Sequence, residues 1–552
     1  MKAANFSSQF AKFFTVERTL LIIFIVALLL RFLFLDLKLF HHDESIHSWF
    51  SIRLLNEGIY SYDPVYHGPF LYYATAGMFA VFGTGEFAAR IMPSVLGTLC
   101  VLLVYPIYRL GYLDKKQTIL AAVFIAVSPC MVYFSRFLRN DILIVFFTLV
   151  LLVALLYYIE KKELRYALLG AVAAGLAMSC KENVPIILLI FGSYLIYLVY
   201  RGRFTLPKYW IRDLVLSAVV LITIMAIFYS AFGMHPNTII DGPFEALDHW
   251  LSMHNEQRLG GPFYFYLILF IMYEIPILIL AGSGVLAFLR WKGNKNISKE
   301  NFVEDTLEVK DSCCNEIPLK SISIPDKNRE FTRFCIFWMF ASFAVYAYIG
   351  EKVPWLILHQ LLPMIFVAVY DLSRWKIWFS AAAAVFLIIM AMHVAFTPAD
   401  VAEPIVQVQN SESLREVMVL IDSADRVAIS DYVRWPFVWY CMDDYPSKIY
   451  YYPDSDKYSS DKGPQDFDLI ILHDGENISE IPGFTKYRYK KCYWIDVYNL
   501  VQSARMKADI WDENYRNTVI SDIKRIVSYY FTRDTSIGSI NMDVFVKNRQ
   551  AI

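Results

Sequence analysis

Between residues 19 and 396 the chain alternates long apolar runs with short polar breaks. The runs occupy 19–36, 90–109, 118–135, 141–158, 165–179, 184–200, 212–232, 263–290, 334–349, 355–370 and 376–396. Most reach the length, about 17–25 residues, that a helix needs to cross the hydrocarbon core of a bilayer. One further stretch, PFLYYATAGMFAVFG at 69–83, is about fifteen residues long and short for a crossing. The basic residues decide its place. Lys2, Lys12 and Arg18, then Arg109/Lys115/Lys116, Lys161/Lys162/Arg165, Arg201/Arg203/Lys208/Arg212, Arg290/Lys292/Lys295 and Arg374/Lys376 fall on one side only if 69–83 does not span. The pattern therefore predicts eleven spans with the N-terminus cytoplasmic. Residues 37–89 form the first outer loop, with 69–83 as an interfacial or re-entrant helix.

After residue 396 the pattern changes. SESLREVMVLIDSA has helical apolar spacing, while RVAIS, KIYYY and DFDLIILHD are short strand-like runs. Such alternation predicts a small α/β domain with a partly parallel sheet over 397–552, on the outer side, following a membrane domain over 1–396. It contains neither G-x-G-x-x-G nor G-x-x-x-x-G-K-[ST], so no nucleotide is assigned to it. Its DYVRWPFVWY segment offers an aromatic face suited to sugar or partner contacts, with core packing as the commoner use of such residues. The domain is expected to be dispensable for chemistry and to tune acceptor choice. The polar loop 291–332 reads as a flexible cytoplasmic insertion. No repeat appears at half-chain spacing, where transporters carry one.

Composition agrees with a polytopic helical membrane protein. The chain is 57% hydrophobic and only 19% charged, with a mean hydropathy of +0.42; a soluble domain carries more charge. A net charge of −1 gives no field for nucleic acid. The eight cysteines form no C-x-x-C pair and no zinc-ribbon spacing.

Chemistry enters through the outer loops. Every dense polar cluster that touches a span end lies there: HHDESIH, YDPVYHGP, SRFLRND, SCKEN and GEKVPW. Helix ends need polar caps, and that accounts for a share of them. In HHDESIH, Asp43 and His47 stand four apart on one helical face. A carboxylate at a dry membrane edge has raised proton affinity, which a nearby cation offsets, and it suits a general base. Two alternatives stay open: His42, Asp43 and His47 could hold a divalent metal, or Asp43 could simply cap the helix. Arg136 and Arg139 suit a phosphate, which arginine grips with two parallel hydrogen bonds, or else they snorkel to lipid headgroups. Lys181/Glu182 and Glu351/Lys352 repeat a Lys–Glu device that can also neutralise itself.

The order of these motifs resembles the GT-C glycosyltransferases: DE after the first span, then HGPFLYY, RIMPSVLGTL, SPCMVYFSRFLRND and GLAMSCKEN. The protein O-mannosyltransferases and the aminoarabinose transferase-like enzymes are the nearest groups. The tail resembles an archaeal branch labelled flippase-activity-associated, which carries a WPFVWY-like helix. The match is good over about 20–200 and looser beyond. The resemblance implies an all-α polytopic membrane domain plus an outer α/β domain. It implies a donor consisting of a sugar on a polyprenyl phosphate, and a protein, lipid or glycan acceptor. It makes Asp43 the base, with Glu44 its acidic neighbour, and assigns Arg136, Arg139, Lys181 and Lys352 to the donor phosphate. His67, Asp141 and Glu182 fall in the matching substrate-binding segments, although HGP stands where the family has H-P-P. The rival readings are a flippase or transporter accessory that presents lipid-linked sugar without chemistry, and a scaffold anchored by its spans.

Overall fold

The computed structural model describes residues 15–58, 60–256, 260–290, 324–398, 403–444, 447–452, 462–476, 478–533, 535 and 538–548. Most of the insertion expected at 291–332 lies outside the described residues.

Each of the eleven apolar stretches is helical, because a backbone in lipid must satisfy its hydrogen bonds internally. Five helices are individually long and apolar enough to cross a membrane, or seven when two bent pairs are each taken as one span. The others, including Leu164–Met178 and Val184–Tyr200, are shorter. The helix Phe70–Phe82 has 13 residues, a length of about 20 Å against about 30 Å of hydrocarbon.

Both bent pairs break at proline. Lys115–Val127 and Pro129–Ser135 meet at 54°, and Phe265–Tyr273 and Ile275–Arg290 at 111°. Pro129 and Pro276 each lack an N–H and crowd the preceding turn. Polar groups freed at the breaks are satisfied by buried side chains. Arg31 donates to the carbonyls of Ala126 (3.0 Å) and Ile125 (2.9 Å) and to Ser135 Oγ (3.1 Å). The Glu274 carboxylate, at the second break, accepts from Ser128 Oγ (2.5 Å) and the Cys130 N–H (3.0 Å) at the first. Arg31 and Glu274, both within apolar runs, thus fasten the broken helices.

The C-terminal part carries a five-stranded sheet of order β2-β1-β3-β5-β4, with β1 Val427–Ser430, β2 Ile449–Tyr452, β3 Leu469–His473, β4 Phe484–Trp494 and β5 Gly538–Lys547. β1 runs parallel to β2 and β3; β5 runs antiparallel to β3 and β4. The helix Leu414–Ser423 and the first three strands fall where the apolar spacing places them. β4 and β5 carry no clean alternation and escape that reading.

This part grips residues 39–42. Gln409 Nε2 donates to Leu39 O (2.9 Å), Asn410 Nδ2 to Phe40 O (2.6 Å), and the His42 N–H to Val408 O (3.3 Å). The Phe40 N–H donates to Tyr440 Oη (2.8 Å), whose own proton goes to Glu86 (2.6 Å). The aromatic WPFVWY segment is core at this joint, not a free face: Trp439 packs edge-on against Phe40 and stacks on Phe79.

Candidate functional site

The segment 37–41 leads into the helix His42–Glu57, whose N-cap is His41, not Asp43. His41 Nδ1 accepts from the Asp43 N–H (3.1 Å), and Glu44 closes the capping box by accepting from the His41 N–H (2.9 Å). Glu44 also accepts two bonds from Arg90 (2.8 and 2.7 Å) and one from the Leu138 N–H (2.8 Å). Arg90 spends its remaining donors on the carbonyls of Leu35, Lys38 and Leu39. The second acidic residue of the DE pair is therefore a buried structural clamp, with its oxygens filled.

Capping frees the Asp43 carboxylate to face a cavity of about 390 Å³. His42, Asp43, His47, His67, Arg139, Lys181 and Glu182 all line it. Four sequence motifs far apart in the chain converge here. Arg139 ion-pairs with Asp43, donates to His67 Nε2 (3.3 Å) and lies 3.6 Å over the Trp355 ring. His67 hands its Nδ1 proton to Glu182 (3.0 Å). Lys181 reaches both oxygens of Asp141 (3.1 and 3.2 Å), which sits behind the wall with His359 at 3.4 Å.

Two predicted phosphate ligands are elsewhere. Arg136 donates to the carbonyls of Leu30, Arg31, Leu33 and Phe34, ending the first span helix. Lys352 donates to the carbonyls of Tyr346, Ala347 and Ile349, ending Ile324–Tyr348. The last carbonyls of a helix have no partner within it and attract cations. Both side chains are used up as caps, which leaves Arg139 and Lys181 as the two predicted phosphate ligands that line the cavity.

Asp43 also differs from expectation in its acidity. Burial raises the carboxyl, but Arg139 and the three neighbouring histidines outweigh it and hold it well below the usual range. A carboxylate so depressed stabilises the fold above the ordinary carboxylate pKa and loses that contribution only as pH falls through the lowered value, so none is lost above about pH 4. Burial, then Arg139, pushes His47 down to about 3. Tyr72 gives its hydroxyl proton to Tyr66 O (2.7 Å), so His47 Nδ1 is the donor to Tyr72 Oη (2.9 Å) and Nε2 carries the lone pair. As pH falls below about 6.5 the unfolded chain takes up a proton that folded His47 refuses. Stability should decline by up to about 1.4 kcal/mol per pH unit. Unfolding midpoints at pH 7 and pH 5 check this; the His47→Gln protein should show the shallower slope, and an equal slope would refute the assignment.

Among the described residues no group of three or more His, Cys, Asp or Glu side chains is placed to hold a metal ion. The metal reading of His42, Asp43 and His47 draws on two buried ring nitrogens without a hydrogen-bond partner, His42 Nδ1 and His47 Nε2, but these side chains do not form such a group.

The HGP segment departs from H-P-P for a steric reason. The Gly68 N–H donates to Cys180 O (3.0 Å) and the Phe70 N–H to Ser179 O (2.9 Å). A Cβ on Gly68 would lie 2.3 Å from Ser179 O. Gly68→Ala should separate His67 from Glu182 and lower activity at least tenfold, the size expected from misplacing a positioned group by about 1 Å. Normal turnover in that variant would show the docking to be irrelevant.

Residues unforeseen from the sequence complete the wall. Trp355 belongs to GEKVPWLILHQ, the segment that also carries Glu351 and Lys352, and reads there as an ordinary apolar residue. Val408, Tyr432, Lys491 and Trp494 come from the C-terminal part; only strand pairing brings them there, and a linear sequence carries no such signal.

Comparison with known proteins follows this geometry. The family model described as dolichyl-phosphate-mannose-protein mannosyltransferase matches residues 66–229. No curated protein matches the sequence. Among solved structures, archaeal oligosaccharyltransferase AglB from Archaeoglobus fulgidus, in complex with an inhibitory peptide and a dolichol-phosphate, superposes with a TM-score of 0.54 at 10% identity, over 97% of this chain and 89% of that one. The apo form of the Archaeoglobus fulgidus oligosaccharyltransferase gives 0.51 at 12% identity, over 96% and 88%. ArnT from Cupriavidus metallidurans in the apo state gives 0.48 at 16% identity; the alignment covers 64% of this chain and only 60% of ArnT. The family match falls in the segment that carries HGP, SRFLRND and SCKEN, and the chain shares its fold with AglB along nearly its whole length.

Proposed function

We propose that the protein transfers a sugar from a polyprenyl-phosphate carrier to an acceptor at the outer face of the membrane. The observation that carries the reading is the single cavity in which the Asp43 carboxylate faces Arg139 and Lys181 at the ends of membrane helices. The acceptor X–H donates its hydrogen bond to Asp43. X attacks the anomeric carbon, the bond from that carbon to the carrier phosphate breaks, and the electron pair leaves with the phosphate. Asp43 takes the proton, and Arg139 and Lys181 stabilise the departing charge. A lipid-anchored donor requires no nucleotide fold, in keeping with a C-terminal part without a phosphate loop. The family description names dolichyl-phosphate-mannose, and AglB was solved with dolichol-phosphate; both support a lipid-phosphate donor here. The reading includes eleven spans, a cytoplasmic N-terminus and an outer C-terminal α/β domain; membrane lipid surrounds the donor, and the acceptor is a glycan, lipid or protein. Incubating purified protein with polyprenyl-phosphate sugars, and scoring transfer or hydrolysis, tests it. Neither product from any such donor would overturn it.

The flippase reading draws on one observation, the two broken helices that meet at Glu274. Transporter sites are built at such breaks. Glu274 does not line the Asp43 cavity, and its Oε1 is occupied by Ser128 and Cys130, so transfer remains the better reading. Donor crossing vesicles without product would reverse that order.

A further inference from the structure

A second cavity, of about 340 Å³, lies at the opposite end of the bundle, between Asn140–Lys161, Val184–Tyr200 and Ile324–Tyr348. Leu152, Leu155, Phe191 and Leu195 give it apolar walls. Its mouth is charged. Arg203, Lys327, Arg329 and Arg333 stand there with two carboxylates, Glu160 and Glu330. Glu330 accepts from the Tyr194 hydroxyl (2.5 Å) and is shared by Arg203 and Arg333. Lys327 pairs with Glu160 at 2.8 Å, and Arg329 lies over the Phe288 ring at 4.6 Å. Among the described residues, four cations against two anions leave a positive surplus beside an apolar chamber among membrane helices. A hydrocarbon tail with an anionic head is the complementary ligand.

We propose that this cavity binds an acidic glycerophospholipid, with an acyl chain between the three helices and the phosphate at the cationic mouth. The site is remote from the Asp43 cavity and does not depend on the transferase reading. The two ends are nonetheless mechanically joined. The same three helices carry Asp141, Asn183 and Tyr346 at their far ends, where Asn183 Nδ2 donates to Tyr346 Oη (3.1 Å). Lipid occupancy therefore sets the spacing of helices that also wall the outer cavity.

The full chain, in nanodiscs containing phosphatidylglycerol and phosphatidylcholine in equal amounts, is released into the mass spectrometer and its retained lipid identified. The expected result is about a tenfold preference for phosphatidylglycerol, the effect of one or two cations near an anionic head, and a higher unfolding midpoint in acidic than in zwitterionic lipid. The double variant Arg203→Gln/Arg333→Gln should lose the preference. Leu195→Trp, which keeps every charge but fills the chamber, should lose retention. Equal retention of both lipids by the wild type overturns the proposal without any variant. So does preferential retention of added polyprenyl phosphate, or undiminished retention in Leu195→Trp.

Discussion

Asp43→Asn is expected to lower transfer by about 10²–10⁴, the usual contribution of a positioned acid–base group. Asparagine keeps the shape of the side chain and its place one residue past the start of the helix, while removing the charge that pairs with Arg139 and the oxygen that takes the acceptor's proton. Because Arg139 depresses the carboxyl, Asp43 is a weak base that stays ionised at any physiological pH. Its contribution then consists of orienting the acceptor and receiving the proton late. The activity profile should accordingly show no acid limb from Asp43 above about pH 4. Donor affinity should survive in the variant, because Arg139, released from its partner, still faces the cavity. Arg139→Gln should show the reverse, with donor binding weakened first. Separate measurement of donor binding and turnover distinguishes the two, and wild-type transfer by Asp43→Asn would refute the assignment.

Removing residues 400–552 should abolish transfer altogether, against the expectation that this part merely tunes acceptor choice. The reason is local. Val408, Tyr432, Lys491 and Trp494 are wall residues of the cavity. Backbone groups of Leu39, Phe40 and His42 also find partners in Val408, Gln409, Asn410 and Tyr440, and the His41 ring meets the Gln407 carbonyl. A buried backbone group that loses its partner costs about 1–3 kcal/mol. The turn that caps His42–Glu57 would lose several at once, and Asp43 with it. Transfer assays beside exclusion chromatography check the outcome. A monodisperse truncated chain that transfers at the full rate would show that the wall is dispensable.

The fold was legible to the degree that burial writes itself locally. Apolar runs marked the helices, and basic loops gave them an order, because lipid imposes both at the level of single segments. Asp43, His67, Arg139 and Lys181 were legible as a group because each sits where a polar cluster meets a span end. The failures share one cause. Glu44, Arg136 and Lys352 have the same residue types in the same kind of place, yet serve as a clamp and two helix caps. Which cation faces a phosphate and which faces a carbonyl is decided by where neighbouring helices end in space. That is a property of packing, as is the arrival of Lys491 beside His42.

The grip of the C-terminal part on residues 39–42 has a consequence for biosynthesis. Asp43 leaves the ribosome about 500 residues before Ile540, which also lines the cavity. At roughly 5–20 residues per second, the interval is on the order of 25–100 s. During that time the Phe40 carbonyl and the N–H groups of Phe40 and His42 lack the partners that the C-terminal part supplies. A chaperone or lipid headgroup that shields residues 39–42 would act in this window. A chain arrested before Val408 would carry all eleven apolar stretches and lack the C-terminal share of the cavity wall.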